Sequence, residues 1–207
     1  VRKLQEFEPS VTFIGQVKAG KTTLVNAMVD WPDLLPADVN PWTSVVTSMH
    51  LSAQRHRATP RASFRFFSQD EWDNLIRQGG RIGEIARRAG AEDEMEKVRA
   101  QLEEMREKSR RRLGNRFDLM LGQTHDYDAV DPDLIKRYVC MGDDFWEGSD
   151  FSREKGQFAD ITKTADLWFS GPDLPTPLFI QDSPGVNDTF MIREQITLNG
   201  LRASRLC

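Results

Sequence analysis

The stretch SVTFIGQVKAGKTT, residues 10–23, decides the class of fold. It contains the pattern G-x-x-x-x-G-K-[ST], with Gly15, Gly20, Lys21 and Thr22 at the fixed positions. Glycines at this spacing let a loop backbone wrap closely around a chain of phosphates, with several N–H groups pointing inward. The helix that follows adds the positive end of its dipole. The stretch therefore predicts a phosphate-binding loop.

The sequence on either side of the loop supports this interpretation. The β-branched run at residues 10–15 is predicted to be a buried strand, and residues 21–30 an amphipathic helix. The order strand, loop, helix is the context in which the motif works. Lys21 is expected to reach the β- and γ-phosphates, and the Thr22 hydroxyl to coordinate Mg²⁺. The residues expected to contact the nucleotide here are Gly15, Gln16, Val17, Lys18, Ala19, Gly20, Lys21, Thr22 and Thr23.

Composition sets broad bounds on the chain. Its 207 residues suffice for one domain with a large insertion, and its net charge of −4 argues against a nucleic-acid partner. The two cysteines, Cys140 and Cys207, have no metal-like spacing, which suits a reducing, cytoplasmic compartment. No apolar run is long enough to span a bilayer, and no signal peptide is visible. Because the first residue is valine, the true N-terminus is expected to be missing.

A second motif lies near the C-terminus, in the stretch PLFIQDSPGVND. Residues 178–181 are predicted to form a buried strand that runs into D-x-x-G, with Asp182 and Gly185 at its ends. At this position in a phosphate-loop nucleotidase, the aspartate holds Mg²⁺ through a water, and the glycine N–H meets the γ-phosphate. The motif is weak alone, but here it shares a chain with a complete phosphate loop.

A threonine that closes over the metal is expected between the two motifs, in LLPADVNPWTSVVT. Thr43 and Thr47 are the candidates. Pro36 and Pro41 keep this stretch out of a helix. Thr47 belongs to the run VVTSMHL, which alternates like a strand, so Thr43 is the better loop residue.

These three stretches, GQVKAGKTT, LPADVNPWT and DSPG, resemble the nucleotide-binding motifs of the dynamin superfamily, specifically its bacterial dynamin-like members. The resemblance covers roughly the first and the last fifty residues. It implies a P-loop GTPase domain, α/β with a mainly parallel sheet, that uses Mg²⁺ with GTP or GDP. It further implies self-association through this domain and, in the full-length protein, peripheral contact with membranes or anionic lipid. The implied catalytic residues are Lys21 and Thr43, and the implied metal ligands are Thr22, Thr43 and Asp182.

The sequence departs from the family pattern in ways that leave alternatives open. Val17 and Lys18 replace a catalytic Gln-Ser pair of the eukaryotic dynamins, and Val186 stands where Ras-like proteins orient water with glutamine, so slow hydrolysis is expected. The guanine-selecting motif is expected beyond Cys207, in a C-terminal part of the domain that the chain lacks; ITKTAD, residues 161–166, reads instead as the approach to a strand. An ATP-binding protein, or a nucleotide-gated interaction module with negligible hydrolysis, stays possible.

The sequence in the middle of the chain predicts a helical insertion. The expected division is residues 1–62 for the first part of the nucleotide domain, 63–160 for a mainly helical insertion, and 161–207 for the continuation with D-x-x-G. Residues 63–67 are predicted to extend the second strand, and Ser68 with Glu71 forms a capping-box signal for a helix through residue 78. Further helices are predicted at residues 81–89, 92–113 and 134–141. An apolar stripe in the third helix comprises Met95, Val98, Leu102 and Met105.

The end of the third predicted helix carries a basic cluster, which we define as Arg106, Lys108, Arg110, Arg111, Arg112 and Arg116. Cations near a helix C-terminus are favoured by its dipole, so the first interpretation is a solvated helix surface. The alternative is a contact for anionic lipid or an acidic partner. The insertion as a whole is expected to serve contacts rather than chemistry, because it carries no phosphate-binding or metal-spaced motif. The three histidines of the chain, His50, His56 and His125, show no metal-ligand spacing and are assigned no role.

Overall fold

The fold is taken from a computed structural model, which describes residues 9–14, 19–35, 45–52, 61–78, 92–140, 156–170 and 176–182. Within the second and third helices some side chains, including those of the predicted apolar stripe, lie outside the description. Six strands and five helices are described. In chain order they are β1 (Ser10–Phe13), α1 (Lys21–Met28), β2 (Val46–Ser52), β3 (Ala62–Phe66), α2 (Gln69–Gln78), α3 (Glu92–Leu113), α4 (Arg116–Met120), β4 (Thr124–Tyr127), α5 (Pro132–Val139), β5 (Thr162–Ser170) and β6 (Leu178–Asp182).

All six strands form one sheet in the order β1-β6-β2-β5-β3-β4. The pairs β1–β6 and β2–β5 are parallel. The pairs β2–β6, β3–β5 and β3–β4 are antiparallel. The α/β class is confirmed. The strand before the phosphate loop, β1, pairs in parallel with the strand before D-x-x-G, β6. Across the six described strands the sheet is mixed, with two parallel and three antiparallel pairs.

The hydrophobic core lies on the sheet face that carries Ile180 and Asp182. Helix α1 packs there against β6. Helix α5 covers the same face farther along, where Tyr138 stacks on Phe64 with ring centroids 4.0 Å apart. Cross-strand partners in this sheet share a face, so the pairs Phe64–Ala165 and Met49–Ile180 join the two regions into one core. Helices α1 and α5 therefore pack on the same face of the sheet, over one continuous core.

The middle segment contributes two strands to the same sheet as well as its helices. β3 is a separate strand that pairs with β5 and β4, so the prediction that residues 63–67 extend the second strand is wrong. This run does form a strand, but a local pattern does not identify the strand with which it pairs. The stretch ITKTAD was predicted to be only the approach to a strand, but β5 already begins at Thr162 within it. The division at residues 63 and 160 stays a prediction.

The helix ends follow the signals in the sequence. Ser68 Oγ accepts a hydrogen bond from the Glu71 N–H at 3.1 Å, and a Glu71 carboxylate oxygen accepts one from the Ser68 N–H at 3.0 Å. This reciprocal pair is the predicted capping box. Asp131 caps α5 by accepting from the Asp133 N–H at 2.9 Å, with Pro132 in the first turn. The helix predicted at residues 81–89 lies outside the described residues.

Candidate functional site

The predicted motifs meet where two parallel strands end together. Phe13, the last residue of β1, is the register partner of Asp182, the last residue of β6. Helix α1 begins beside them at Lys21, after the described end of the loop at Gly20. The carboxyl edge of neighbouring parallel strands, next to a helix N-terminus, is the usual place for a phosphate-bearing ligand in an α/β fold.

The entry into α1 requires glycine for its backbone rather than for space. Gly20 has a φ of 82°, in the left-handed region, and a Cβ placed there would meet nothing within 4 Å. Its carbonyl accepts the first helical hydrogen bond, from the Leu24 N–H at 3.0 Å. The first turn of α1 contains no acidic side chain, so none of its residues competes with an anion for the positive end of the helix.

A hydrogen bond joins the first motif to the third. The Thr22 Oγ1 hydroxyl donates to Asp182 Oδ2 at 2.9 Å, across 160 residues of sequence. Asp182 is 1 % exposed, and Thr22 is half-buried. A hydroxyl beside a buried carboxylate is a donor set of hard oxygens, which fits Mg²⁺. Within the described part of the chain no group of three or more His, Cys, Asp or Glu side chains could hold a metal. A metal bound here would therefore take further ligands from phosphates and water.

Lys21 provides the positive charge of the site. Burial lowers the pKa of its ammonium below the ordinary value, and the nearby Asp182 carboxylate opposes that shift. Desolvation is thus the larger effect, so burial of the charged ammonium is unfavourable until an anion binds beside it. A phosphate would restore the charge balance and return the pKa upward.

The remaining predicted site residues divide into two groups. Ala19 and Thr23 are exposed at the start of α1, on either side of Gly20 and Lys21. Outside the described residues lie Gly15, Gln16, Val17, Lys18, Thr43 and Gly185. The structure therefore brings Lys21, Thr22 and Asp182 together, and the assignments of the others stay predictions.

Thr47, the rejected switch candidate, lies inside the sheet. It is 0 % exposed, forms part of β2, and is the register partner of Asp182. Its hydroxyl points to the Val45 carbonyl at 3.5 Å. Thr47 is thus part of a strand, as residues 45–51 predicted, and its exclusion as the switch threonine stays a prediction.

Asn26 is a residue that the sequence reasoning missed. It lies on α1, four residues after Thr22, and is 5 % exposed. Its Nδ2 donates to the Leu35 carbonyl at 2.6 Å, and its Oδ1 accepts from the Leu35 N–H at 3.0 Å. The available signal was a lone amide within the apolar run LVNAMV.

The basic cluster of the third helix is partly engaged in structural contacts. Arg112 Nη1 donates to Asp160 Oδ2 at 3.1 Å and to the Gly156 carbonyl at 2.9 Å. The side chains of Arg112 and Asp160 are 11 % and 12 % exposed. The Arg110 guanidinium carbon, Cζ, lies 5.4 Å from the Phe117 ring centroid, and Arg110 Nη2 lies 3.6 Å from Asp118 Oδ1. Arg111 and Arg116 are exposed. The cluster is thus a mixture of structural cations and solvated ones.

Comparison with protein families identifies one relationship. The sequence model of the dynamin family matches residues 11–203, which is nearly the whole chain. A search among curated protein sequences found no significant match.

Solved structures share the fold. Two matches come from an oligomerised bacterial dynamin pair, described as providing a mechanism for the long-range sensing and tethering of membranes. The first has a TM-score of 0.58 and 21% identity, covering 98% of this chain and 23% of that chain. The second has a TM-score of 0.55 and 18% identity, covering 98% of this chain and 26% of that chain. The chain thus spans about a quarter of the length of these proteins. None of the helices in its described part is both long and apolar enough to cross a membrane.

Proposed function

The chain belongs to the dynamin family, and from that premise we propose that it binds GTP and GDP with Mg²⁺ and hydrolyses GTP. Members of the family are GTP hydrolases. The observation that carries the proposal is the 2.9 Å contact between Thr22 and Asp182. It unites the hydroxyl of the phosphate loop with the carboxylate of D-x-x-G, which are the two protein groups that a Mg²⁺-nucleotide site requires.

Each residue of the site has a proposed role. Thr22 and Asp182 would hold Mg²⁺, which would supply positive charge beside the phosphates. The Lys21 ammonium binds the same phosphates from the helix side. Backbone N–H groups of residues 15–23 surround the phosphates, and the Gly185 N–H meets the γ-phosphate. Thr43 completes the metal site in the GTP state and places the attacking water.

Hydrolysis by this chain alone is proposed to be slow. Val17 and Val186 stand at positions where related proteins place glutamine, so neither supplies a polar side chain to orient water. The water would be positioned by Thr43 alone among the proposed side chains. A partner that adds a polar group to the site would accelerate the reaction, as in other phosphate-loop GTPases.

Self-association and membrane contact are proposed for the full-length protein. The structural relatives are an oligomerised dynamin pair linked to the sensing and tethering of membranes. We propose that this chain likewise associates through its nucleotide domain and acts at the cytoplasmic surface of a membrane. Nucleic acid is not a proposed partner, because the net charge is −4.

Two measurements test the proposal against its alternatives. Competition binding with GTP, GDP and ATP tests the choice of base: GTP and GDP should displace a bound guanine nucleotide, and ATP should not. Displacement by ATP at lower concentrations than GTP would favour the ATP-binding alternative. Single-turnover hydrolysis, measured beside affinity, tests the chemistry: tight binding without phosphate release would favour a nucleotide-gated interaction module.

A further inference from the structure

We propose that an aromatic and acidic cavity at one end of the sheet receives an arginine side chain from a second copy of this chain. The cavity lies where β5 ends. Because β2 is parallel to β5 and antiparallel to β6, this end of the sheet is opposite the edge that carries Asp182. The inference deepens the proposed self-association and rests on it, but it does not involve the nucleotide site.

The cavity has a volume of about 570 Å³, which is within the range of ligand-binding pockets in proteins. Its walls come from the turn after α1, from the end of β5 and from the residues that precede β3 and follow β4. Six of the residues that line it are aromatic or charged, namely Asp30, Trp31, Arg61, Asp128, Trp168 and Phe169.

The two tryptophans of the cavity are held in place by contacts within the chain. Trp168 stacks on His50, with ring centroids 5.1 Å apart and planes 7° apart. Trp31 meets Phe169 edge to face, with centroids 6.2 Å apart, and its N–H donates to the Asn26 carbonyl at 3.2 Å. Trp31 is nevertheless 37 % exposed. A fixed, exposed tryptophan loses little conformational entropy on binding, and tryptophan is enriched at the energetic centres of protein interfaces.

The charge of the cavity favours a cation. Two exposed carboxylates, Asp30 and Asp128, contribute to it, against one half-buried guanidinium, that of Arg61. Asp30 also lies just beyond the last residue of α1, Met28, where the negative end of the helix dipole adds to the carboxylates. A guanidinium can bind a carboxylate and stack on an indole face, so an arginine side chain matches both the charge and the walls of the cavity.

The chain itself exposes arginines that this cavity could bind. Arg111 and Arg116 are exposed near the end of α3. That end of α3 is fixed beside the start of β5, because Arg112 bonds to Asp160. The cavity lies at the other end of β5, beside Ser170, and β5 is nine residues or about 30 Å long. An arginine side chain cannot span that distance, so the contact joins two copies of the chain.

The first test measures self-association of the full chain by sedimentation at several concentrations. Trp31→Ala and Asp128→Lys should each weaken association by about tenfold, because they remove the aromatic wall and reverse one of the carboxylate charges. The matched controls are Leu24→Ala, at a side chain that is 51 % exposed on α1, and Glu96→Lys, at an exposed carboxylate of α3. Normal association in both cavity variants would overturn the inference.

A mixing experiment tests whether the cavity and the arginines meet. The double variant Arg111→Glu and Arg116→Glu should associate as weakly as Asp128→Lys. An equimolar mixture of the two variant chains should restore association, since each keeps the half of the contact that the other has lost. Restoration also excludes unfolding as the cause of the defects. A mixture that associates no better than its components would overturn the inference.

A third measurement uses the unaltered chain. The indole N–H resonances of Trp31 and Trp168 should shift as the chain concentration rises through the range in which sedimentation shows association. Trp72, which is 0 % exposed in the core, is the internal control. A chain that stays monomeric, or that associates without these shifts, would overturn the inference. Shifts caused by an oligoarginine peptide in a chain that stays monomeric would assign the cavity to a basic segment of another protein, and the second copy would be wrong.

Nucleotide affinity, measured on the same variants, separates this inference from the proposed function. Trp31→Ala and Asp128→Lys should leave GTP affinity unchanged, because the cavity and the nucleotide site lie at opposite ends of the sheet. Normal association in these variants, with GTP binding intact, would remove only the cavity contact. Absence of GTP binding in the unaltered chain would remove the proposed nucleotide chemistry and leave the association results valid.

Discussion

Thr22 and Asp182 lie 160 residues apart in sequence and 2.9 Å apart in the fold, through their side-chain oxygens. Neither residue is unusual alone. Their contact depends on α1 beginning at the edge where β1 and β6 end, which places a helical hydroxyl beside a strand-end carboxylate. Among the described residues, the site consists of one hydroxyl, one carboxylate and one ammonium. The loss of each group should have its own measurable effect.

The two threonines of the segment between the motifs should behave differently when altered. Thr43→Ala should spare GDP binding and reduce GTP hydrolysis by about tenfold or more, because the proposed metal contact forms only with a γ-phosphate. Thr47→Val removes only a buried hydroxyl whose contact, with the Val45 carbonyl, is long at 3.5 Å, so hydrolysis should change little. Single-turnover assays on both variants check this. Normal hydrolysis in Thr43→Ala with a defect in Thr47→Val would place the switch threonine at residue 47.

The ammonium of Lys21 should make nucleotide affinity depend on pH. Its pKa is lowered from 10.5 by burial, so between the lowered pKa and 10.5 the unfolded chain binds more protons than the folded one. The contribution of this group to the free energy of unfolding therefore rises with pH in that window. Phosphate binding needs the charged form, so GDP affinity should fall over the same window. Titrations across alkaline pH should show a steeper fall in the unaltered chain than in Lys21→Ala; equal slopes would contradict the assignment.

At the scale of elements, local signals located most of the helices and strands but not their partners. The capping box at Ser68 and Glu71 and the Asp131-Pro132 start of α5 are satisfied within a few residues, so the sequence predicts them well. The pairing of β3 with β5 depends on residues about a hundred positions away, which no local pattern encodes. The same holds for the site: its motifs predicted Lys21, Thr22 and Asp182, whereas the contact of Asn26 with Leu35 required the fold.

Adjacent arginines of α3 have opposite structural roles, which allows a matched comparison. Arg112→Met breaks the ion pair with Asp160 and leaves that mostly buried carboxylate without its cation, which should lower the free energy of unfolding by about 2–3 kcal/mol. Arg111→Met removes an exposed charge and should change it by less than about 0.5 kcal/mol. Denaturant unfolding of both variants measures the difference. Similar values for the two would show that the Arg112–Asp160 pair contributes nothing to α3.

At the scale of the whole molecule, the chain spans about a quarter of the length of the structurally similar proteins, and its assembly and membrane contact are proposals. On the described surface, the arginines near the end of α3 differ in whether they are exposed or paired. Arg111 and Arg116 are exposed at the end of α3, whereas Arg112 is committed to Asp160. Only the exposed members of the basic cluster are suited to an acidic partner or to anionic lipid.

Charge reversal therefore belongs at the two exposed arginines. The double variant Arg111→Glu and Arg116→Glu should weaken self-association, or binding to anionic liposomes if lipid is the partner, and leave GTP affinity unchanged. Arg77→Glu, an exposed arginine of α2 outside the cluster, is the control. Sedimentation and liposome flotation are run beside a nucleotide titration. A loss of GTP affinity with association and flotation unchanged would mean that this end of α3 serves the nucleotide site.

We propose above all that the chain binds guanine nucleotide with Mg²⁺ at a site formed by the phosphate loop and D-x-x-G. Equilibrium binding of GTP, with Mg²⁺ and then with a chelator, tests it on the unaltered chain, Lys21→Ala and the exposed-lysine control Lys108→Ala. We predict that chelation weakens GTP binding, that Lys21→Ala weakens it by about tenfold or more, and that Lys108→Ala leaves it unchanged. GTP affinity that is indifferent to both Mg²⁺ and Lys21 would contradict the account.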